Sequence, residues 1–355
     1  MAKKFARTLK MLVLVLIILP VLIFLGFAAA VNFMDFNGYK PQIEKQVSEL
    51  TGRQFNIEGS IDVNVLPFTL SIGESQLNSP EGFNDKYPQL AFKSLLLQLS
   101  LSELFLAKTI EVKSIEWLEP SIYWERNAQT GQSNWDNFPR MDQLIASIKG
   151  QSGTESEANA WKLDSLVVQD GSFRYKSVNS QKLWTLQEIE VVANHVGSAQ
   201  PFPLSLSFLH MAADHSHQFD VQLNADGKIL NQWQGIALQD WRGILKSQPV
   251  SELPQPAVTF IQSGKHIQLN WSELGWSGNG ILLNGLNGHV NFDFKGRLAP
   301  FELSGQAALN KVNLNQWSEV FGFSLSENLK KAVFTDNQKY NWQYLNGEVS
   351  LISEK

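Results

Sequence analysis

From Met11 to Met34 the chain carries no charged residue, and the stretch MLVLVLIILPVLIFLGFAAAV is almost wholly aliphatic. A bilayer suits a segment that is apolar on every side, and there a lone segment satisfies its own backbone groups only as a helix. A helix from Met11 to Val31 rises roughly 31 Å, about one hydrocarbon core. Pro20 sits at mid-span, a position that membrane helices tolerate with a kink. Lys3, Lys4, Arg7 and Lys10 precede the stretch without an acid, whereas the sequence after it opens on Asp35 and mixes signs. The positive-inside rule therefore predicts a cytoplasmic tail over residues 1–10, a transmembrane helix over 11–34 and a body on the opposite side. The competing reading is a cleaved secretory signal ending at Ala28, Ala29 and Ala30; the apolar run exceeds the roughly 7–15 residues of a signal core and favours a retained anchor. No second run approaches this length, so a single pass is expected.

Beyond the anchor, Tyr39 to Leu50 reads as a short helix. Pro41 suits its first turn, Ile43, Val47 and Leu50 recur at helical spacing, and Gly52 supplies a C-terminal cap. The period then changes to two. Phe68, Leu70 and Ile72 alternate with Thr69 and Ser71; Leu95, Leu97, Leu99 and Leu101 follow, then Ile110 and Val112. The phase slips near Ser114, as a bulge produces, and Ile115 and Trp117 carry it on. Residues 147–160 are small, polar and without apolar rhythm, which marks a linker between residues 35–146 and 161–355. The alternation resumes at Leu204, Leu206 and Phe208, at Phe219, Val221 and Leu223, and at Val290, Phe292 and Phe294. Asn284-Gly285, Asn287-Gly288 and Asn346-Gly347 read as hairpin turns. Only Leu314 to Phe321 and Leu325 to Val333 look helical downstream.

The fold class expected is mainly β: fourteen to eighteen strands in an elongated antiparallel sheet, about 70–85 Å long if laid flat. A sheet of that length must curl into a groove or fold into a closed sandwich, and periodicity alone does not separate these two.

Chemistry finds few footholds. With no cysteine there is no disulfide, no thiolate metal site and no cysteine nucleophile. The net charge of -5, with no basic run past residue 10, argues against nucleic acid. Among six histidines only His215 and His217 stand close, near Asp214 and Asp220, and a solvated hairpin edge accounts for them better than a metal. No metalloprotease, hydrolase or phosphate-loop motif occurs. The chain is expected to be no enzyme and to use no cofactor. Eleven tryptophans, including Trp117, Trp124, Trp135, Trp161 and Trp184 on or beside strands, suit either the ends of an apolar core or contact with lipid headgroups.

The order of motifs adds a family resemblance. D-F-N-G-Y-K-P (Asp35 to Pro41), T-G-R-Q-F-N-I-E-G-S-I (Thr51 to Ile61), L-P-F-T-L-S-I (Leu66 to Ile72) and N-S-P-E-G-F (Asn78 to Phe83) come first. S-L-L-L-Q-L-S-L-S-E-L-F (Ser94 to Phe105), I-E-V-K-S-I-E-W-L-E-P-S-I-Y-W-E-R-N (Ile110 to Asn127) and G-Q-S-N-W (Gly131 to Trp135) follow. In this order they resemble the N-terminal domain of the AsmA family. G-Q-A-A-L-N-K-V-N-L-N-Q-W (Gly305 to Trp317) is similar to the family's downstream strand-then-helix pattern.

The resemblance implies a protein anchored in the inner membrane of a Gram-negative envelope, with a periplasmic body related to bridge-like lipid-transfer proteins, whose β-groove carries acyl chains. It also implies phospholipid as ligand, a part in outer-membrane lipid homeostasis and assembly, and no catalytic residue. Many members are longer, so a groove of this length is expected to hand lipid on, to be extended by other envelope proteins or to serve one bilayer. The candidate lining is Phe68, Leu70, Ile72, Leu95, Leu97, Leu99, Leu101, Ile110 and Val112, with Phe219, Val221, Leu223, Phe292 and Phe294 downstream. The alternative is a scaffold that binds outer-membrane protein precursors through exposed strand edges.

Overall fold

The computed structural model describes residues 34–83, 86–100, 112–127, 130–136, 138, 162–176, 183–197, 200–211, 217–230, 235–250, 257–270, 275–298, 301–336, 338–345 and 348–352. The expected span short of Met34, the expected linker, Leu101, Ile110, Asp214 and His215 lie outside them. Among the described residues no helix is long and apolar enough to cross a membrane.

The described chain opens with a 3-10 turn, Phe36–Tyr39, whose N–H at Asn37 is capped by the Asp35 carboxylate, and passes into helix α1 (Lys40–Thr51). Pro41 occupies its first turn and Gly52, at φ 66°, ends it, as the sequence predicts. The helix and turn lie along the edge of the first strands. Glu44 Oε1 accepts from Ile57 N–H at 2.7 Å, Ser48 Oγ from Phe55 N–H at 3.0 Å and Asn37 Oδ1 from Ile61 N–H at 3.0 Å. Side chains thus occupy donors that an open sheet edge would offer to another chain.

Twenty strands make one sheet. The first eight are β1 (Phe55–Ile57), β2 (Ile61–Val65), β3 (Phe68–Ile72), β4 (Ser75–Leu77), β5 (Leu90–Phe92), β6 (Ser94–Leu99), β7 (Val112–Leu118) and β8 (Ser121–Glu125). Then come β9 (Lys162–Lys176), β10 (Leu183–Gly197), β11 (Phe202–Met211), β12 (His217–Leu230), β13 (Gly235–Pro249) and β14 (Val258–Asn270). The rest are β15 (Gly275–Gly285), β16 (Gly288–Leu298), β17 (Phe301–Asn310), β18 (Ser324–Leu325), β19 (Lys339–Leu345) and β20 (Glu348–Leu351).

The first eight are four bent strands, each broken once. β2, β3, β6 and β7 pair antiparallel in one rank and β1, β4, β5 and β8 in another. Both ranks join β9 in parallel, β7 along Ser165–Gln169 and β8 along Ser172–Lys176. Gly59 and Gly73 meet at the break, where a Cβ on Gly59 would stand 2.7 Å from Gly73 Cα. Counting each broken strand once gives sixteen, inside the expected range. The predicted slip near Ser114 is a bulge, with Gln98 opposite Ser114 but Leu99 opposite Val112.

From β9 to β17 each strand pairs antiparallel with the next, and β19 and β20 continue the ladder. Among the described residues no pairing joins the first strands to the last, and there is one sheet rather than two, so the sandwich alternative is set aside. The sheet curls into a half-barrel that forms a groove. Its bends coincide with residues of positive φ: Glu119 at 50°, Asp170 at 54°, Glu188 at 49°, Asp240 at 46° and Gly280 at 61°. An extra residue on one strand bends it and increases its twist. Carboxylates take up amides near these bends, Glu190 from Asp170 N–H at 2.9 Å and Asp293 from Gly280 N–H at 2.7 Å.

The far edge is covered too. Helix α2 (Leu314–Phe321) forms as predicted, but the expected helix over Leu325 to Val333 shrinks to α3 (Glu327–Lys330), because Leu325 pairs with Val349 in the parallel strand β18. Ser326 N–H donates to Val349 O at 3.0 Å and Asn328 Nδ2 to Leu351 O at 3.1 Å, which caps the outer side of β20. The β15–β16 hairpin also differs from expectation. Its turn is Leu286-Asn287, at φ 49° and 63°, and Gly285 belongs to the strand, where its missing side chain admits the ring of Phe260.

Candidate functional site: the concave face of the sheet

Side chains alternate across a strand and paired residues share a face, so the registers can be followed across the whole ladder. One such row is Val63, Leu70, Leu97, Ile115, Leu166, Ala193, Leu204 and Ala225, each paired with the next over eight successive strands. A parallel row runs Ile61, Ile72, Leu95, Trp117, Val168, Val191, Leu206 and Leu223 through the same eight. No polar side chain interrupts either. On the opposite face Thr69, Gln98, Ser114, Ser165 and Asn194 pair in sequence beside the first row, whereas the positions between the two rows mix polar with apolar: Ser71, Leu96, Glu116, Val167, Val192 and Ser205 pair in sequence. The curl therefore has a continuous apolar inside, while its outside mixes polar side chains with Leu96, Val167 and the exposed Val192.

Every predicted lining residue that the structure describes lies on this inner face. Phe68, Leu70 and Ile72 come from β3, Leu95, Leu97 and Leu99 from β6, Val112 from β7, Phe219, Val221 and Leu223 from β12, and Phe292 and Phe294 from β16. Phe219 and Leu223 are buried and the other ten half-buried. Leu101 and Ile110 fall outside the described residues. Two buried clusters interrupt the half-open floor: Leu163, Ala193, Val196, Phe202, Leu204 and Ile229 toward one rim, and Leu223, Ala225, Trp241 and Ile281 near mid-strand.

Sequence reasoning missed how the large rings lie. Trp241 rests across Gly264 on the neighbouring strand, where an added Cβ would come within 2.5 Å of its Nε1, and Phe294 rests on Gly278 in the same manner. Phe202 over Gly227, Phe260 over Gly285 and Trp276 over Gly296 repeat the arrangement. Laid flat over a residue without a side chain, a ring paves the floor instead of standing up into the groove. Glycines inside strands were the available signal, since they weaken a strand unless a close approach uses them.

Near one rim the floor turns aromatic. Trp184 stacks on His210 at 5.1 Å, His210 on Phe219 at 6.0 Å, and Phe219 on Phe321 of α2 at 5.9 Å with the rings 9° from parallel. Phe260 meets Phe321 at 4.8 Å and Trp317 at 5.1 Å. Helix α2 is thus seated inside the curl. Asn313 caps its start, Gly322 at φ 65° ends it, and Ser247 Oγ donates to Val320 O at 2.7 Å.

Burial among these rings pulls the pKa of His210 below its ordinary value near 6.5, although its Nδ1 lies 3.1 Å from Thr185 O. A depressed folded-state pKa means that the unfolded chain binds the proton more readily. Stability should be full above pH 6.5 and fall as pH drops through 6.5 toward the folded value. Thermal melts of the unmodified chain and His210→Phe from pH 7.5 to 5 should diverge in that window; parallel curves would remove His210 as the cause.

Polar chemistry lies away from the groove. Arg53, 7% exposed, donates Nε to Gln89 Oε1 at 2.6 Å and its terminal nitrogens to the carbonyls of Thr51 (2.6 Å), Asn134 (2.8 Å) and Asp136 (3.1 Å), while Phe138 lies 5.0 Å beneath it. Burial lowers its pKa. No carboxylate is among these partners; the guanidinium ties α1, β5 and the segment after β8 together. Among the described residues no group of three or more His, Asp or Glu could hold a metal ion; His217 lies against Phe219 and Asp220 pairs with Lys246 at 3.5 Å.

A family model described as AsmA family matches residues 5–319. No curated protein and no solved structure matches the chain.

Proposed function

The chain belongs to the AsmA family, and from that premise we propose that it holds the acyl chains of phospholipid on the concave face of its sheet. Residues 11–34 anchor it in the inner membrane and the body stands in the periplasm, where it contributes to outer-membrane lipid homeostasis and assembly. The observation that carries this reading is the pair of apolar rows crossing eight strands without a polar side chain. Hydrocarbon asks for continuous dry surface and no hydrogen bonds, and such a floor offers that. No catalytic step is needed.

The tie between Asn37 and Ile61 supports a further part of the reading, because it leaves β2 three residues from the end of the apolar stretch. The groove would then begin at the bilayer surface. Helix and side-chain caps at both ends of the ladder weigh against the scaffold alternative, which depends on free strand edges. They also mean that a protein extending the path would meet it end to end instead of adding a strand.

A photo-crosslinking amino acid at Leu97, on the inner face, and at Glu116, on the outer face of the adjacent strand, tests the proposal in cells. Phospholipid adducts are expected from Leu97 and not from Glu116. Protein adducts alone from Leu97, or equal lipid labelling from both, would refute it.

A further inference from the structure

Helix α2 leaves β17 and folds back inside the curl, where Trp317 and Phe321 stand on Phe260 and Phe321 stacks on Phe219. Phe260 is fully buried there and Trp317 is 5% exposed. Remove α2 and the floor beneath it resembles the half-open floor of β3 and β6: Val221, Leu245 and Phe260 make one apolar row in register, Phe219 lies in the next row beside the buried hydroxyl of Ser247, and none of them carries a charge. The other side of the helix is polar, with Asn315, Gln316 and Glu319 exposed.

We propose that the floor beneath α2 is a second acyl-chain site, and that Trp317 and Phe321 occupy it as the chain's own stand-in for hydrocarbon. The inference rests on the lipid reading above and deepens it. Lipid entering from β2 and β3 meets an apolar path that ends at this helix, and occupancy of the farther floor requires that hydrocarbon displace the two rings. The hold on the helix is of the kind that can be exchanged. Among the described residues its sheet contacts are dispersive ring packing, which an acyl chain can replace, plus one hydroxyl-to-carbonyl bond, Ser247 to Val320. No ion pair among those described ties α2 to the floor. Glycine at 322 and the short connection through Lys311, itself at φ 53°, leave the helix bounded by turns on both sides.

The test uses the full chain in cells, with the photo-crosslinker at Leu245 beneath the helix and at Leu97 on the open floor. In the otherwise unmodified chain, phospholipid adducts should form at Leu97 and be scarce at Leu245. In Trp317→Ala/Phe321→Ala, the Leu245 adduct should rise on the order of tenfold relative to Leu97, the change expected when a covering of this size is lost. Ser247→Ala removes only the hydroxyl bond and leaves the rings in place; a few-fold rise at Leu245 is expected from it, which keeps the test decisive if the double variant does not fold. Equal adducts at both positions in the unmodified chain, or no rise at Leu245 in either variant, would overturn the inference while leaving the groove intact. Absence of lipid at Leu97 would instead remove the lipid reading on which it stands.

Discussion

Aspartate at both Leu97 and Val112 is expected to reduce co-purifying phospholipid more than a hundredfold without unfolding the chain. Both residues sit on the inner face, on adjacent strands, and both are half-buried. In the empty groove a carboxylate at either position keeps contact with water, so the folded state bears little of the cost. Hydrocarbon laid over it does not: covering an ionised group with an apolar surface costs at least about 3 kcal/mol, a hundredfold in affinity. Native mass spectrometry of the purified chain reads the lipid and circular dichroism reads the fold. Undiminished lipid in a well-folded double variant would show that hydrocarbon does not run along these rows.

Arg53→Ala should lower stability by about 3–5 kcal/mol and the thermal midpoint by roughly 10 °C. The guanidinium is the shared donor of three backbone carbonyls and the Gln89 amide oxygen, and alanine strands all four acceptors in a buried place. Those acceptors belong to the end of α1, the approach to β5 and the segment after β8, so the loss falls on the end of the β1–β4–β5–β8 rank away from the breaks. Arg53→Lys should recover only part of it, since an ammonium cannot reproduce the planar fork. Differential scanning calorimetry separates the cases; an unchanged midpoint in Arg53→Ala would mean that the network forms without contributing.

Much of this architecture is visible in the letters alone because it is local. Leu95, Leu97 and Leu99, or Phe219, Val221 and Leu223, declare a period of two, and a strand with that period has one dry face wherever it ends up. The slip at Ser114 and the helix over Leu314 to Phe321 are equally short-range. What stays hidden depends on distance along the chain. Nothing near Arg53 announces partners 36 and 81 residues away. Trp241 lies flat because Gly264 happens to be its neighbour on the next strand, a fact of register that composition does not hold. The seat of α2 inside the groove, and the breaks that turn four strands into eight, arise from curvature, and curvature is a property of the assembled sheet.

The ladder from β9 to β17 has a consequence for how such a molecule comes into being. Long sheets are slow to form when their strands must search for distant partners, because loop closure precedes any gain from contact. Here each of these strands pairs with the one just before it, and the parallel docking of β7 and β8 on β9 is the long-range closure that joins the two halves. A chain threaded across a membrane from its N-terminus would meet its partners in the order of its delivery, adding one hairpin after another to a growing margin while the rest is still in transit. Assembly of this kind would keep step with the export that the proposed topology requires, and from β9 onward would leave a single growing margin to be protected.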